Sequence, residues 1–302
     1  MSFIPGAPLL PTTVVGSYPV VRERGLSSLV NPLRAAMKRA VEDQISAGID
    51  IISDGQVRGD MVGAFTSRLP GIRGQDVVGK VLPASAPITT GDVRYARRKN
   101  PLVKGIVTGP TTLAHALHVS TPLYRNREEL VPDLAIALAM EARALQDEGI
   151  AVLQVDEPIL STGMGDLEIA RDAIGIIAGQ VSVPVCLHVC GNLGEVMDAL
   201  LGFPVQVLDF EFAKNPANIE IISGKDLGGR MIGFGCVDSS SPAVDPVETI
   251  LSLIRTGVEL FGPERMLIDP DCGLRMHTRD TAYAKLSHMV SAARIARKEV
   301  EG

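Results

Sequence analysis

One pattern recurs along the whole chain and constrains its fold more than any other feature. Short β-branched or apolar runs alternate with polar or glycine-rich turns and amphipathic helical segments. We predict eight strands, at residues 12–15, 50–53, 102–108, 151–155, 183–189, 205–210, 231–235 and 266–268. The predicted helices between them include residues 32–47, 127–148, 167–180, 246–261 and 281–298. Gly48 and Gly149 stand where helices end, and the next strand starts almost at once.

Alternation of this kind is typical of an α/β protein with a parallel sheet. Eight units in 302 residues predict a closed (β/α)8 TIM barrel, formed as a single catalytic domain over residues 1–302. A doubly wound open sheet is the alternative. Residues 60–101 interrupt the rhythm because they are rich in glycine and proline and show no clear helical period. We predict a hairpin-containing insertion there, after the second strand and over the barrel mouth.

Charge and cysteine content exclude several classes of protein. The formal net charge is -6 and no Lys/Arg block stands out, which excludes a nucleic-acid or anionic-membrane partner. No uninterrupted run of about 18 apolar residues predicts a membrane helix. Four cysteines are too few for a disulfide framework in a chain of this length. Free thiols are typical of the reducing cytoplasm, where we expect the protein to function.

Metal-ligating side chains follow several predicted strands, where a barrel of this type builds its active site. His188 and Cys190 are two residues apart, so in a strand they share a face. Glu211 and Cys272 stand at the ends of later strands. Two thiolates, one imidazole and one carboxylate are a donor set for Zn²⁺, and we predict one zinc ion per chain. An isolated His-x-Cys is more often part of a core, so the prediction depends on Glu211 and Cys272.

The location of this donor set indicates catalysis. Exchange of Glu211 would leave a zinc position for a substrate thiol, which points to alkyl transfer to sulfur. Asp156 and Glu157 follow the fourth strand and face opposite ways, so Asp156 can enter the site and bind the ammonium group of an amino acid. Gly16 and Ser17 offer backbone N–H groups and a hydroxyl for its carboxylate. The alternative is that Asp156 and Ser17 only support the rim.

Six ordered motifs give the chain a resemblance to the catalytic half of cobalamin-independent methionine synthase. They lie at residues 14–19 (VVGSYP), 90–93 (TGDV), 107–112 (VTGPTT), 154–158 (QVDEP), 188–190 (HVC) and 270–274 (PDCGL). The resemblance implies a (β/α)8 barrel, zinc and methyl transfer to the thiol of L-homocysteine. It matches His188, Cys190, Glu211 and Cys272 to the zinc ligands. Gly16, Ser17 and Asp156 match homocysteine-binding positions.

The departures from that family concern the other half of its site. Ala116 stands where the family has a tryptophan beside the pterin, and Thr162 stands where it has a nearby glutamate. Where the family has a second carboxylate for the substrate ammonium group, this chain has Gln56, which would contact the substrate without a charge. The proton-donating histidine aligns with Ser240, and we assign part of its catalytic role to Asp238. The chain thus resembles the short, single-barrel methionine synthases of archaea and some bacteria.

These departures predict a methylated corrinoid, carried by a partner protein, as the methyl donor in place of methyl-folate. Three alternatives stay open. The first is a zinc methyltransferase acting on another thiol such as coenzyme M, whose sulfonate would need a nearby arginine or lysine. The second is a metal-free decarboxylase, which would need an arginine-rich site. The third is a non-catalytic protein that binds zinc or a corrinoid.

Overall fold

The strand and helix boundaries agree closely with the periodicity of the sequence. The computed structural model describes residues 4–21 and 31–302, so residues 1–3 and 22–30 of the predicted domain lie outside the described part. Six parallel strands form one continuous sheet, in the order Lys104–Thr108, Val152–Asp156, Val185–Val189, Val207–Glu211, Met231–Gly235 and Met266–Asp269. Met231–Gly235 has the predicted boundaries, and the other five differ from prediction by one or two residues at either end.

The two N-terminal strand segments close this sheet into a barrel. Thr12 bridges to Ile268 in the last strand, and Thr13 bridges to Ile51. Ile52 then bridges to Val103, immediately before the strand Lys104–Thr108. All three bridges are parallel, so eight strand segments form a complete ring. Closure confirms the (β/α)8 TIM barrel and rules out the open sheet.

The helices surround the ring, and the first of those listed here begins and ends for local reasons. They span Pro32–Ala47, Gly63–Thr66, Thr90–Arg97, Pro110–Ala116, Val131–Asp147, Leu167–Ala178, Met197–Leu200, Ala217–Ile222, Val247–Phe261 and Arg279–Glu301, with 3₁₀ turns at Pro158–Thr162 and Pro263–Arg265. Asn31 caps the first of them by accepting a hydrogen bond from the Arg34 amide. Gly48 ends it in the left-handed conformation, with φ 89°. None of the helices in the described ranges is long and apolar enough to cross a membrane.

Residues 60–101 contain more regular structure than the sequence indicated. Ile72–Arg73 and Asp76–Val77 pair as an antiparallel hairpin, and Asp76–Val77 also pairs with His118–Val119. The helix Thr90–Arg97 was not predicted, and the expectation of a segment without helical structure was wrong there. Its start is held by Glu141 of a distant helix, whose carboxylate accepts hydrogen bonds from the amides of Ile88 and Thr89. Local sequence carries no sign of such a cap.

Candidate active site

Alternate residues of each barrel strand point into the barrel and divide its interior into layers. At the N-terminal ends of the strands most of these residues are apolar, and they pack into one cluster, with Ile51, Val152, Cys186, Val207, Met231 and Leu267 as its barrel members. Lys104 is the exception, and its buried Nζ donates a hydrogen bond to Gln154. Two residues further along the strands the interior becomes polar, with Gln154, His188, Asp209 and Asp269 buried. The apolar layer closes the bottom of the barrel, so a solute can reach the polar layers only from the C-terminal mouth.

Three of the four predicted zinc ligands meet at this mouth. One ligand atom each from His188, Cys190 and Cys272 lies within 4.8 Å of the other two. His188 Nδ1 lies 3.1 Å from the Asp209 carboxylate, whereas the buried Nε2 has no hydrogen-bond partner in the described part of the chain. A buried imidazole nitrogen without a partner is costly unless it binds something. The other ring nitrogen of His188, Nδ1, is fixed by the Asp209 carboxylate, and metal-ligating histidines are commonly oriented in this way. The donor set and the partnerless nitrogen therefore fit a zinc ion.

Glu211, the fourth predicted ligand, ends the strand Val207–Glu211 beside this cluster but does not belong to it. Its side chain is buried and accepts a hydrogen bond from the Asn215 amide group. Burial raises the pKa of the Glu211 carboxyl, and the negative charge of Cys272 adds to this effect. The Glu211 carboxylate is thus near the thiols but is hydrogen-bonded to Asn215.

The two thiols of the cluster differ in acidity. The adjacent Cys190 thiol lowers the pKa of Cys272 below its ordinary value, against the opposing effect of burial, whereas the pKa of Cys190 itself is raised. A contact with His188 lowers the pKa of Cys272 further. A thiolate held in this way is ready to bind a metal ion, because the thiolate is the form that coordinates metals.

A pair of buried carboxyl groups lies beneath His188. A Cβ at Gly233 would lie 2.6 Å from the Cβ and Cγ of Asp209, so the Asp209 side chain occupies the space that this glycine leaves free. Asp269 is fully buried, and neither of its oxygens has a hydrogen-bond partner among the described residues. Burial and the adjacent Asp209 charge raise the pKa of Asp269 well above its ordinary value. Asp209 thus carries the negative charge that faces His188.

The cluster opens into a cavity of about 340 Å³ that contains three of the predicted substrate-binding residues, Ser17, Gln56 and Asp156. Asp156 accepts a hydrogen bond from the Gln154 side chain at 2.6 Å, and burial raises the pKa of its carboxyl to about 6. Gly16 lies just behind this surface, where a Cβ would approach Gln56 Oε1 to 2.5 Å. A side chain at position 16 would therefore displace Gln56 from its present position.

The neighbouring carboxylate, Glu157, faces away from the cavity and anchors the scaffold. It accepts hydrogen bonds from the amides of Thr111 and Thr112 at 2.9 and 2.8 Å. A Cβ on Gly109 would overlap its side chain. Asp156 therefore faces the cavity, whereas Glu157 binds the start of the helix Pro110–Ala116.

Five charged residues of the cavity lining, including Asp60, were not assigned roles from the sequence. Asp54 is buried, and burial raises the pKa of its carboxyl to about 6. Arg58 forms an ion pair with Asp92, with an Nη2–Oδ1 distance of 2.6 Å. Arg275 donates hydrogen bonds to the carbonyls of Gln56 and Gly59 and so fixes the loop beneath the mouth. Asp54 directly follows the second predicted strand, and this position at a strand end could have identified it as a site residue.

Two further sequence expectations concern residues near the cavity. Asp238, predicted to be catalytic, does not line the cavity, and its carboxylate accepts hydrogen bonds from the Ser240 amide and hydroxyl at 2.8 and 2.7 Å. Its catalytic role stays a prediction. The sequence also predicts packing roles for Cys186 and Cys236, the two cysteines outside the predicted ligand set, and both are buried free thiols outside the ligand cluster.

Comparison with known proteins agrees with this geometry. The family described as "Cobalamin-independent synthase, Catalytic domain" matches residues 10–295. A methionine synthase of Methanothermobacter marburgensis is 44% identical, over 93% of this chain and 98% of its own length. That of Methanocaldococcus jannaschii is 42% identical, over 94% and 98%.

Solved structures share the fold at lower identity. A B12-independent methionine synthase from Shewanella sp. W3-18-1, in complex with selenomethionine, has a TM-score of 0.82 at 21% identity, covering 97% of this chain and 99% of that one. A methyltransferase from Methanosarcina mazei has a TM-score of 0.68 at 17% identity, covering 97% and 95%. Because the family match spans nearly the whole chain, this protein is a methyltransferase that belongs to the catalytic-domain family of cobalamin-independent methionine synthases.

Proposed function

We propose that the protein transfers a methyl group to the thiol of L-homocysteine and so forms methionine, using one zinc ion per chain. The observation that carries the proposal is the buried His188 Nε2, which has no hydrogen-bond partner among the described residues. It lies beside two thiols at the mouth of a cavity lined by Ser17, Asp54 and Asp156. His188, Cys190 and Cys272 would hold the zinc, and Glu211 would be the fourth, exchangeable ligand. When bound, zinc would lower the pKa of the substrate thiol and keep it a thiolate at neutral pH.

The protein's own residues would orient the amino acid. Asp156 and Asp54 both line the cavity as buried carboxyl groups, and together they can bind an ammonium group. Asp54 would supply the charge that Gln56 lacks. Ser17, with the backbone at Gly16, would bind the substrate carboxylate. The apolar bottom of the barrel would keep water from reaching the thiolate from below.

For the methyl donor we propose a methylated corrinoid bound to a partner protein. A corrinoid leaving group needs no protonation of a pterin nitrogen, and the chain has no tryptophan and has Ser240 where the family's proton-donating histidine is expected. The carboxylate of Asp238 is occupied by its own loop, so any share in proton transfer would require a change of side-chain conformation. Residues 60–101 would cover the mouth of this single catalytic domain, since Asp60, Met61 and Asp92 line the cavity.

For the methyl acceptor, one specific alternative to homocysteine has support in the structure, namely a thiol with a sulfonate group. A sulfonate such as that of coenzyme M would bind arginine, and the cavity lining includes Arg58 and Arg275. Arg58 is paired with Asp92, however, and Arg275 donates to backbone carbonyls. The buried carboxyl groups of Asp54 and Asp156 would repel a sulfonate, which favours the amino acid.

A panel of donors and acceptors tests the proposal. Zinc-loaded protein would be assayed with methylcobalamin or methyl-tetrahydrofolate as donor, and homocysteine or coenzyme M as acceptor. We expect slow methionine formation with methylcobalamin and little or none with the methyl-folate. Equal turnover of the two donors would reject the corrinoid, and preferential methylation of coenzyme M would reject homocysteine. Gently purified protein without zinc would reject the metal assignment.

A further inference from the structure

A second cavity lies directly beside the catalytic one and shares a wall with it. It has a volume of about 350 Å³ and is formed largely by the helices Pro32–Ala47 and Thr90–Arg97. Arg58 and Asp92 line both cavities. The Arg58–Asp92 ion pair therefore lies between the two cavities, and we call the second cavity the basic groove.

The basic groove is positively charged although the whole chain is acidic. Its described lining contains four arginines and one acidic residue, Asp92, whereas the chain carries a net charge of -6. Arg58 is paired with Asp92, and Arg94 donates to Glu148 at 2.9 Å. The other two, Arg34 and Arg98, form no ion pair within 4.0 Å among the described residues, although the charge of Arg98 also helps to lower the pKa of Glu148.

Two lysines extend this charge around the edge of the groove. The ammonium groups of Lys38 and Lys99 each lie 5.9 Å from the centre of the Tyr95 ring, which itself lines the groove. Scattered surface arginines are ordinarily solvated and need no ligand. Here, however, unpaired guanidinium groups converge on a concave surface, and a guanidinium binds phosphate or carboxylate through paired hydrogen bonds.

We propose that the basic groove binds an anionic group, phosphate or carboxylate, carried by the methyl donor while the methyl group itself enters the catalytic cavity. The assignment rests on the proposed function, because it takes the neighbouring cavity as the place of methyl transfer. Arg34 and Arg98 would bind the anion, and Arg58 would lie between the two parts of the donor. The groove would thus select donors by a group that does not react.

Two pairs of molecules separate the sources of the anion. Methylcobalamin carries a nucleotide phosphodiester that methylcobinamide lacks, so this pair tests a phosphate. Methyl-tetrahydrofolate with three glutamates or with one glutamate tests carboxylates, measured as inhibition of methyl transfer. The variant Arg34→Ala/Arg98→Ala removes the two unpaired guanidinium groups. The control Arg171→Ala/Arg255→Ala removes the same charge from arginines that pair with Asp172 and Glu299, away from the groove.

We expect the Arg34→Ala/Arg98→Ala variant to raise the KM for methylcobalamin about tenfold, in line with the loss of charge-assisted hydrogen bonds partly screened by salt. The KM for methylcobinamide, the KM for homocysteine and the zinc content should stay unchanged, and the control should behave as the wild type. Tighter inhibition by the triglutamate, lost in the variant, would instead identify carboxylates as the anion. Equal changes for both members of each pair, or no change, would overturn the proposal.

Titration calorimetry with inorganic pyrophosphate gives a readout that does not depend on catalysis. We expect the wild type and the control to bind it and the Arg34→Ala/Arg98→Ala variant to bind it at least tenfold more weakly. Binding of pyrophosphate without turnover of any corrinoid would reject the proposed donor and leave the groove as an anion site. Turnover without this difference in binding would reject the groove and leave the proposed function intact.

Discussion

At the scale of single residues, Cys272 is the side chain on which the metal site depends most. It brings a thiolate from the end of the last strand to His188 and Cys190, which leave one strand together. We predict that Cys272→Ser abolishes zinc binding and methyl transfer together, because a serine hydroxyl does not ionise at neutral pH. Zinc per chain and initial rate are the measurements.

A matched variant makes that result interpretable. Cys236→Ser changes another buried free thiol outside the cluster and should retain zinc and activity. Far-UV circular dichroism should show an intact barrel for both variants. Full activity in Cys272→Ser would mean that Cys272 is not a ligand.

Asp156 and Asp54 give substrate binding a defined dependence on pH. Burial raises the pKa of both carboxyl groups to about 6 in the ligand-free protein. Only the ionised form attracts an ammonium group, so affinity for the amino acid should be full above pH 7 and fall as the pH drops through 6. Below that pH we expect about a tenfold loss per unit for each carboxyl group that must release its proton.

Calorimetric binding of methionine, the product, between pH 5 and 8 would measure this dependence without turnover, with zinc content checked at each pH. Asp156→Asn should bind methionine more weakly at pH 8 and lose part of the pH dependence. An affinity that stays constant from pH 8 to pH 5 would show that neither carboxyl group binds the ammonium group.

At the scale of secondary-structure elements, helix ends illustrate how local sequence sets boundaries. Gly48 ends the helix Pro32–Ala47 with φ 89° and donates its amide to the carbonyls of Gln44 and Ile45. Gly48→Ala should lower the free energy of unfolding by about 1–2 kcal/mol, because an L side chain is strained in the left-handed region. Urea unfolding would measure the change.

Gly175 is the matched control for this substitution. It lies inside the helix Leu167–Ala178, and an added Cβ would find its nearest neighbour, a carbon of Pro204, at 3.6 Å. Gly175→Ala should therefore stabilise the protein by about 0.5–1 kcal/mol. Equal effects at the two positions would contradict the conformational explanation.

At the scale of the whole molecule, the barrel core should be independent of the metal. A large apolar cluster packs the helices against the sheet, and a second one closes the bottom of the barrel. The three clustered ligands gather at the other end. Removal of zinc with a chelator should abolish methyl transfer and leave far-UV circular dichroism unchanged, with Tm lowered by a few degrees.

Re-addition of zinc should restore activity without a refolding step. Unfolding on chelation, as zinc-finger domains show, would instead assign the metal a structural role. The absence of any effect on activity would exclude the metal from the reaction.

Local sequence patterns were enough to predict which residues stand at the strand ends and which way they face. The two-residue period of a strand placed His188 and Cys190 on one face, and it separated Asp156 from Glu157. Strand alternation then predicted that Cys272 would join them at one end of a barrel. These inferences succeeded because they depend on local geometry and on the parallel arrangement of the strands.

Only the tertiary structure decided how residues far apart in the chain are paired. The register between strands sets Asp209 beside His188, and Gly233 leaves the space that the Asp209 side chain fills. Glu141 caps the helix Thr90–Arg97 from 52 residues away along the chain. Arg58 meets Asp92 across two different segments. Such contacts depend on strand register and on the close packing of side chains, which no local pattern of residues encodes.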